Sequence, residues 1–212
     1  MDPFGWDHNA YYQRLLLRAV PMGARRVLDV GCGAGSMTAR LARRATHVDA
    51  IDCSPEMIEF ARERTPANVR CVLADVLEYP LPDAGYDAVV SMTALHHLPL
   101  ETALTRLARA VRPGGVLAAV ALPRTDLPRE LPVELLGAVS HLTLGLGFAA
   151  LRRLTGRDWY RAEDTHDRMP ILDPSLTTAQ VRSTAAAVLP GSEVRRLAHW
   201  RYLLRWRRPQ LS

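Results

Sequence analysis

Arg26-Val27-Leu28-Asp29-Val30-Gly31-Cys32-Gly33-Ala34-Gly35 is the stretch on which the reading of this chain turns. Residues 26–30 form a short apolar run that ends in glycines, the mark of a buried strand. Residues 34–45 follow with Met37, Leu41 and Ala45 at helical spacing. A strand, a glycine turn and a helix in direct succession make a βα unit. Its exposed helix-start amides can receive polar ligand atoms, and its glycines let a ligand approach without meeting Cβ atoms.

Outward from that unit the alternation continues. Residues 47–52 read as a second strand, and Ser54 and Pro55 open a helix that runs to about Arg64. Residues 69–74, 86–92 and 116–122 read as the third, fourth and fifth strands. An amphipathic helix over residues 100–111 is stopped by Arg112-Pro113-Gly114-Gly115. Continuous apolar runs such as residues 116–122 suit a parallel sheet covered on both faces. Residues 123–174 hold five prolines and helical apolar stretches, and read as an inserted cap of one or two helices. A helix over residues 177–189 follows, then two strand-like runs, 193–198 and 201–207, joined as an antiparallel hairpin through His199 and Trp200. In the second run Arg201, Arg205 and Arg207 alternate with Tyr202, Leu204 and Trp206, which predicts one polar face.

Composition narrows the class. The 212 residues suit one domain, with 48% hydrophobic and 23% charged residues. That excludes a disordered chain, a collagen-like fibre and a coiled coil. Cys32, Cys53 and Cys71 match no zinc spacing, so no metal is expected, and a reducing cytoplasm is the expected setting. Neither the N-terminus nor residues 131–151, which carry Glu134, His141 and three glycines, reads as a targeting or membrane-spanning segment. The net charge of +5 comes entirely with arginine, since the chain has no lysine. Those arginines are spread along the sequence, which favours a solvated surface over a nucleic-acid patch.

Spacing separates two nucleotide-binding classes. A dinucleotide fingerprint needs G-x-G-x-x-G, but position 36 is Ser36 and the third glycine arrives early, at Gly35. Asp52, at the end of the second strand, is placed to take ribose hydroxyls. Its alternative role is a carboxylate favoured by a helix N-terminus. A nicotinamide-dependent oxidoreductase is therefore the weaker reading.

With VLDVGCGAG, VDAIDCSPEM, VLADVLEYPLPDAGYDAVVSMTALHHL and LARAVRPGGVLAAVAL in this order, the chain resembles the class I S-adenosylmethionine-dependent methyltransferases. It is most similar to their small-molecule branch with the methyltransferase-11 type of core, over roughly residues 24–122 and the terminal hairpin. The resemblance implies a Rossmann-like, doubly wound α/β fold. Its seven-stranded sheet would have the order 3-2-1-4-5-7-6, strand 7 antiparallel, with the cap added. It implies a single domain: lid helix (1–23), cofactor-binding core (24–122), cap (123–175), and last helix with hairpin (176–212).

The resemblance also implies residue roles. Asp29, Gly31, Cys32 and Gly33 would wrap the methionine moiety of S-adenosyl-L-methionine. Asp52 would take the ribose, and Cys53 and Met57 would line the adenine. Asp75 would accept from the adenine amino group, and Val76 would offer its amide. Ser91 would meet the methionine end, and Tyr12 would lie on a lid over the cofactor. His96 would be a catalytic base. For Met57 and Val76 core packing is an equal alternative. Asp75 has a turn-capping alternative, His96 that of a loop-shaping residue, and Tyr12 that of an aromatic anchor.

The implied activity is methyl transfer to a small-molecule acceptor, apolar or aromatic, with secondary metabolism as its setting. Alignment of donor and acceptor would supply most of the catalysis. The alternative is a non-methylating protein that keeps the cofactor site as a structural element. Residues 131–151 are expected to roof the acceptor, with His166 or Asp167 as polar anchors, or else to pack on the core or form a homodimer. No nucleic acid and no membrane is expected as partner. The place after strand four reads Ser91-Met92-Thr93-Ala94, without the Asp/Asn-Pro-Pro-aromatic run of base-amine methylating enzymes.

Overall fold

In the computed structural model, which describes residues 6–127, 129–160 and 173–210, seven strands form one sheet. They are β1 (Ala24–Val30), β2 (Ala45–Asp52), β3 (Val69–Leu73), β4 (Tyr86–Met92), β5 (Val111–Ala121), β6 (Glu193–Leu197) and β7 (Arg201–Arg207). Their order is β3-β2-β1-β4-β5-β7-β6. β1 to β5 pair in parallel, while β7 runs antiparallel to both β5 and β6. This is the expected fold.

The side-chain pattern explains the layering. Successive residues of a strand face opposite sides of the sheet. Val27 packs under α1 (His8–Ala19) and α2 (Ser36–Leu41), beside Leu16 and Leu41. Leu28, one residue on, packs with Leu104 of α4 (Leu100–Ala110) and Val181 of α6 (Thr178–Val188). Every residue of β4 is buried, as a central strand covered on both faces requires. α3 (Pro55–Arg64) covers β2 with Ile58 and Ala61.

Three boundaries shift for local reasons. α2 begins at Ser36 rather than residue 34, because Gly35 N first closes a turn onto Cys32 O at 3.1 Å. β5 begins at Val111, so the Arg112–Gly115 stop signal ends the helix but lies inside the strand. The register with β4 slips there, between Tyr86 and Ala88. α6 starts at Thr178 under a full capping box, in which Thr177 and Gln180 each bond the other's backbone amide.

Among the described residues the insertion after β5 contains one helix, α5 (Leu131–Thr155). It lies against the N-terminal end of α1 and the β6–β7 turn. His199 of that turn joins the three segments: its Nδ1 lies 3.1 Å from the Tyr12 hydroxyl and its Nε2 3.0 Å from Ser140 Oγ. His199 and Trp200 both take φ of 56°, so these contacts hold a turn in the left-handed region without glycine.

The hairpin corrects one expectation. Arg205 and Arg207 are exposed, but Arg201 is buried. β7 lies between β5 and β6, and α1 covers its first residue. The Arg201 guanidinium donates to Asn9 Oδ1 at 2.6 Å and to His199 O at 2.6 Å. Burial lowers its pKa to about 10.

Candidate active site

The strand order reverses between β1 and β4, and in open α/β sheets the crevice at the carboxyl ends of such strands takes the ligand. A cavity of about 430 Å³ lies there, a size typical of small-molecule sites. It runs along the sheet edge from the segment after β3, past the ends of β2 and β1, to the segment after β4.

The β1 loop forms its floor. Gly31 N and Cys32 N donate to Ile51 O at 2.8 and 3.1 Å, which ties the loop to β2. Gly31 has a φ of 67°, and a Cβ there would stand 2.1 Å from Ala94 Cβ, so only glycine fits. Asp52 braces the same loop. Its Oδ2 accepts from Gly33 N at 2.9 Å, and its Oδ1 accepts from Ser54 N at 2.9 Å. Asp52 thus sits at the start of α3 and on the cavity wall at once.

Asp29 is fully buried on that wall. Its Oδ2 accepts from Thr38 Oγ1 at 2.6 Å, while its Oδ1 has no partner among the described residues. Burial raises its pKa to about 7, Thr38 opposes the rise, and the Asp52 charge adds to it. Gln13, 3% exposed, stands on the same wall. Its Nε2 donates to Ser36 Oγ at 3.3 Å, and its Oε1 has no partner among the described residues. Two buried acceptors without donors on one cavity wall ask for a ligand that carries N–H groups.

Asp29, Gly31, Cys32, Gly33, Asp52, Cys53, Met57, Asp75 and Val76 all line this cavity. Asp75 is exposed at the rim, where its Oδ1 accepts from Leu77 N at 2.8 Å; Met57 and Val76 are buried. Burial pushes the Cys32 thiol up, so it stays protonated and packs as an apolar group.

Three expected residues do not line the cavity. Ser91 is buried between β4 and β1, where its hydroxyl donates to Val30 O at 3.0 Å. The Tyr12 hydroxyl donates to Ala198 O at 3.0 Å, and its ring anchors α1 to the sheet. His96 lies in a one-turn 3₁₀ helix, Leu95–His97. At three residues per turn, successive side chains point about 120° apart. His96 therefore turns towards Leu100, Leu122 and Tyr202, and its neighbour His97 lines the cavity. Burial, with His97 and Arg201 nearby, lowers the His96 pKa to about 4, so its ring is neutral.

The expected roof is also corrected: no described residue of α5 lines the cavity. His166 and Asp167 lie outside the described residues. The sequence reading missed Asp7, Asn9 and Gln13, which reach the cavity from the start of α1, and Met92, Thr93 and Leu98, which follow β4. Asn9 and Gln13 stand one helical turn apart, and Asp7 caps the helix by accepting from Asn9 N at 2.7 Å. Spacing and cap are both legible, but neither says that this helix end overhangs the β1 loop. Among the described residues no group of three or more His, Cys, Asp or Glu is placed to hold a metal.

Residues 27–115 match the family model described as a methyltransferase domain. An uncharacterised methyltransferase of Mycobacterium tuberculosis (strain H37Rv) is 39% identical over 206 residues, covering 96% of this chain and 98% of that protein. A fatty-acid O-methyltransferase of Mycolicibacterium smegmatis is 40% identical over 110 residues, covering 49% of this chain and 40% of its own. Among solved structures, the N-methyltransferase NodS of Bradyrhizobium japonicum in complex with S-adenosyl-l-homocysteine shares the fold. Its TM-score is 0.62 at 19% identity, over 96% of this chain and 89% of that one. With the sheet order, the glycine loop and a relative matched along nearly its whole length, the chain belongs to the class I S-adenosylmethionine-dependent methyltransferases.

Proposed function

We propose that this methyltransferase acts on a small-molecule acceptor of apolar or aromatic character. The acceptor enters the β4 side of the cavity, lined by Asn9 of α1 and by Met92, Thr93, His97 and Leu98. The observation that carries this reading is one continuous cavity with two chemically distinct ends. The end over β1 to β3 carries Asp29, Asp52 and Asp75, and the segment after β4 brings the apolar Met92, Ala94 and Leu98 beside Thr93 and His97.

The residues at the first end fit the cofactor. The Asp29 carboxylate and Gln13 Oε1 would accept from its ammonium group. The free lone pairs of Asp52 would take the ribose hydroxyls. Asp75 and the Val76 amide would hold the adenine edge, with Met57 against the ring. When bound, S-adenosylmethionine supplies a methyl group already activated on a sulfonium sulfur.

The chain's own contribution is then alignment, which is worth roughly 7–11 kcal/mol when the reacting atoms are held in line. His97 adds a proton acceptor. Burial lowers its pKa, so the ring is neutral near pH 7. A hydroxyl acceptor beside the ring would lose its proton to it as the methyl arrives. The fatty-acid O-methyltransferase relative supports an apolar acceptor, since its name states one.

The test is incubation with isotopically labelled S-adenosylmethionine and separate panels of phenols, fatty acids, amines and thiols, read by mass spectrometry for label in the product. Labelled phenol or lipid is the expected result. Tight binding of the demethylated cofactor with no labelled product in any panel would defeat the proposal.

A further inference from the structure

The chain after β5 holds a helix with its two faces exchanged. On a helix seated against a water-soluble body, the apolar stripe normally faces the body and the polar side faces water. α5 does the reverse. Inward, Glu134 pairs with Arg196, Ser140 Oγ meets His199 Nε2 at 3.0 Å, and His141 Nδ1 meets His8 Nε2 at 3.0 Å. Gly137 lets the helix close on the hairpin turn, since a Cβ there would stand 3.2 Å from His199 N. Outward stand Leu135 (59% exposed), Leu136 (61%), Val139 (59%), Leu142 (60%), Leu146 (55%) and Leu154 (83%).

From Leu131 to Leu151 the ionisable side chains are Glu134 and His141, and both point inward. The outward face is thus an uncharged apolar strip along a helix about 37 Å long at ~1.5 Å per residue. Strips of that size on a soluble surface mark an interaction site.

The ends of the strip say what covers it. Arg129 precedes it between Asp126 and Glu130, and Arg152, Arg153 and Arg157 follow, with Asp158 among them. Arg129, Arg153 and Arg157 are exposed; Arg129 stands 3.5 Å from Asp126 in a loose ion pair. Trp159 sits beside the arginines at the C-terminal end, its Nε1 donating to Thr155 Oγ1 at 3.0 Å, while the Tyr160 ring packs on Phe148 and Tyr11 against the body. An apolar strip followed at its C-terminal end by a cluster of arginines and a tryptophan matches the layers of an anionic bilayer surface: acyl chains inside, phosphates and headgroups outside. The chain's net charge of +5 acts in the same direction.

We propose that α5 docks this chain on the surface of an anionic lipid bilayer, with the helix lying in the interface plane and its leucine strip in the acyl region. Spanning is disfavoured, because it would strip Glu134, Ser140 and His141 of the partners that hold α5 to the body. Of the features that count against a membrane segment in the sequence, Glu134, His141, Gly137 and Gly145 lie on the inward side, while Gly147 is exposed.

The experiment is vesicle flotation with the whole chain. Vesicles are made of phosphatidylcholine alone or with about one-third phosphatidylglycerol, enough to give a substantial negative surface potential. The wild type is expected to float with the anionic vesicles and to be partly released by salt. Leu142→Glu/Leu146→Glu is expected to lower partitioning at least ~10-fold, and Arg153→Glu/Arg157→Glu to lower it on anionic vesicles only. Leu154→Glu is a second, milder probe at the most exposed leucine. All these positions are exposed and off the cavity wall, so melting temperature and cofactor-product affinity serve as controls for folding. Wild type that never floats overturns the proposal, as does a Leu142→Glu/Leu146→Glu variant that floats equally well. So does a wild-type dimer in sedimentation that these substitutions split without any vesicle binding, which would assign the strip to a second copy. None of these outcomes bears on methyl transfer, which is read separately in the cavity.

Discussion

Asp29→Asn should strengthen the empty fold while it weakens cofactor binding, and the two effects can be separated by pH. Asp29 titrates in the folded chain at about 7, against 3.8 for an ordinary aspartate, and burial is the main cause. A carboxylate raised in this way carries no penalty below its unfolded pKa. The penalty grows as pH rises and levels off above the folded value. Its full size is about 4 kcal/mol at ~1.36 kcal/mol per pKa unit, reached near pH 8, while at pH 5 only about 2 kcal/mol is present. Asparagine removes the charge and keeps an oxygen for the Thr38 hydroxyl. The stability gain of the variant over wild type should therefore shrink by roughly 2–3 kcal/mol between pH 8 and pH 5.

That difference is the diagnostic quantity, because packing changes common to both pH values cancel in it. Urea unfolding of both proteins without cofactor, at the two pH values, measures it directly. In the same variant, affinity for S-adenosylhomocysteine should fall by about 1.5–3 kcal/mol, the contribution of a hydrogen bond to a charged group. A variant whose stability gain is the same at both pH values would refute the buried-charge argument. A variant that binds the cofactor product as tightly as wild type would refute the role given to Asp29 in holding its ammonium.

The remaining predictions concern the loop, the bases and the hairpin. Gly31→Ala should abolish measurable cofactor binding by calorimetry, and Gly31→Ala/Ala94→Gly should recover part of it, because the clash is with the Ala94 methyl. Asp52→Asn should weaken cofactor binding by about 1–3 kcal/mol, since an amide can accept from only one of Gly33 N and Ser54 N. Once a hydroxyl acceptor is found, His97→Ala should lower kcat about 100-fold with cofactor KM nearly unchanged, whereas His96→Ala should leave the pH–rate profile as it is. His199, held near 4 by burial, Arg201 and His141, binds its proton more weakly folded than unfolded. Its share of stability is complete above about pH 6.5 and is lost as pH falls towards 4, so His199→Gln should flatten the acid limb of the melting temperature.

The residues legible in the sequence are those whose position follows from one strand and the turn after it. Asp29, Gly31, Gly33, Asp52, Asp75 and Val76 each lie at or just past the carboxyl end of β1, β2 or β3, and parallel strands in register bring such ends together. The unreadable ones depend on contacts between distant segments. Nothing local in Asp7, Asn9 or Gln13 tells that α1 crosses the end of β1, and a fixed strand-to-site spacing cannot choose between His96 and His97 when a 3₁₀ turn rotates each by a third of a circle. Arg201 was misplaced because alternation shows only that two faces differ. It does not show that β7 has neighbours on both edges and α1 above its first residue.

The same limit explains α5. Periodicity reports that one side of the helix carries Glu134, Ser140 and His141 and the other carries leucine, but not which side meets the body. The expectation of a roof over the acceptor rests on the length and apolar character of the segment, which leave that choice open. Here the polar side found better partners in Arg196, His199 and His8 than water offered, and the leucines were left facing out. The large apolar side chain that the helix turns inward is Phe148, which packs on Trp6 and Tyr160. Turning the helix over would bury the leucines but part Glu134, Ser140 and His141 from Arg196, His199 and His8, so the vesicle experiment reads what covers the strip that this leaves exposed.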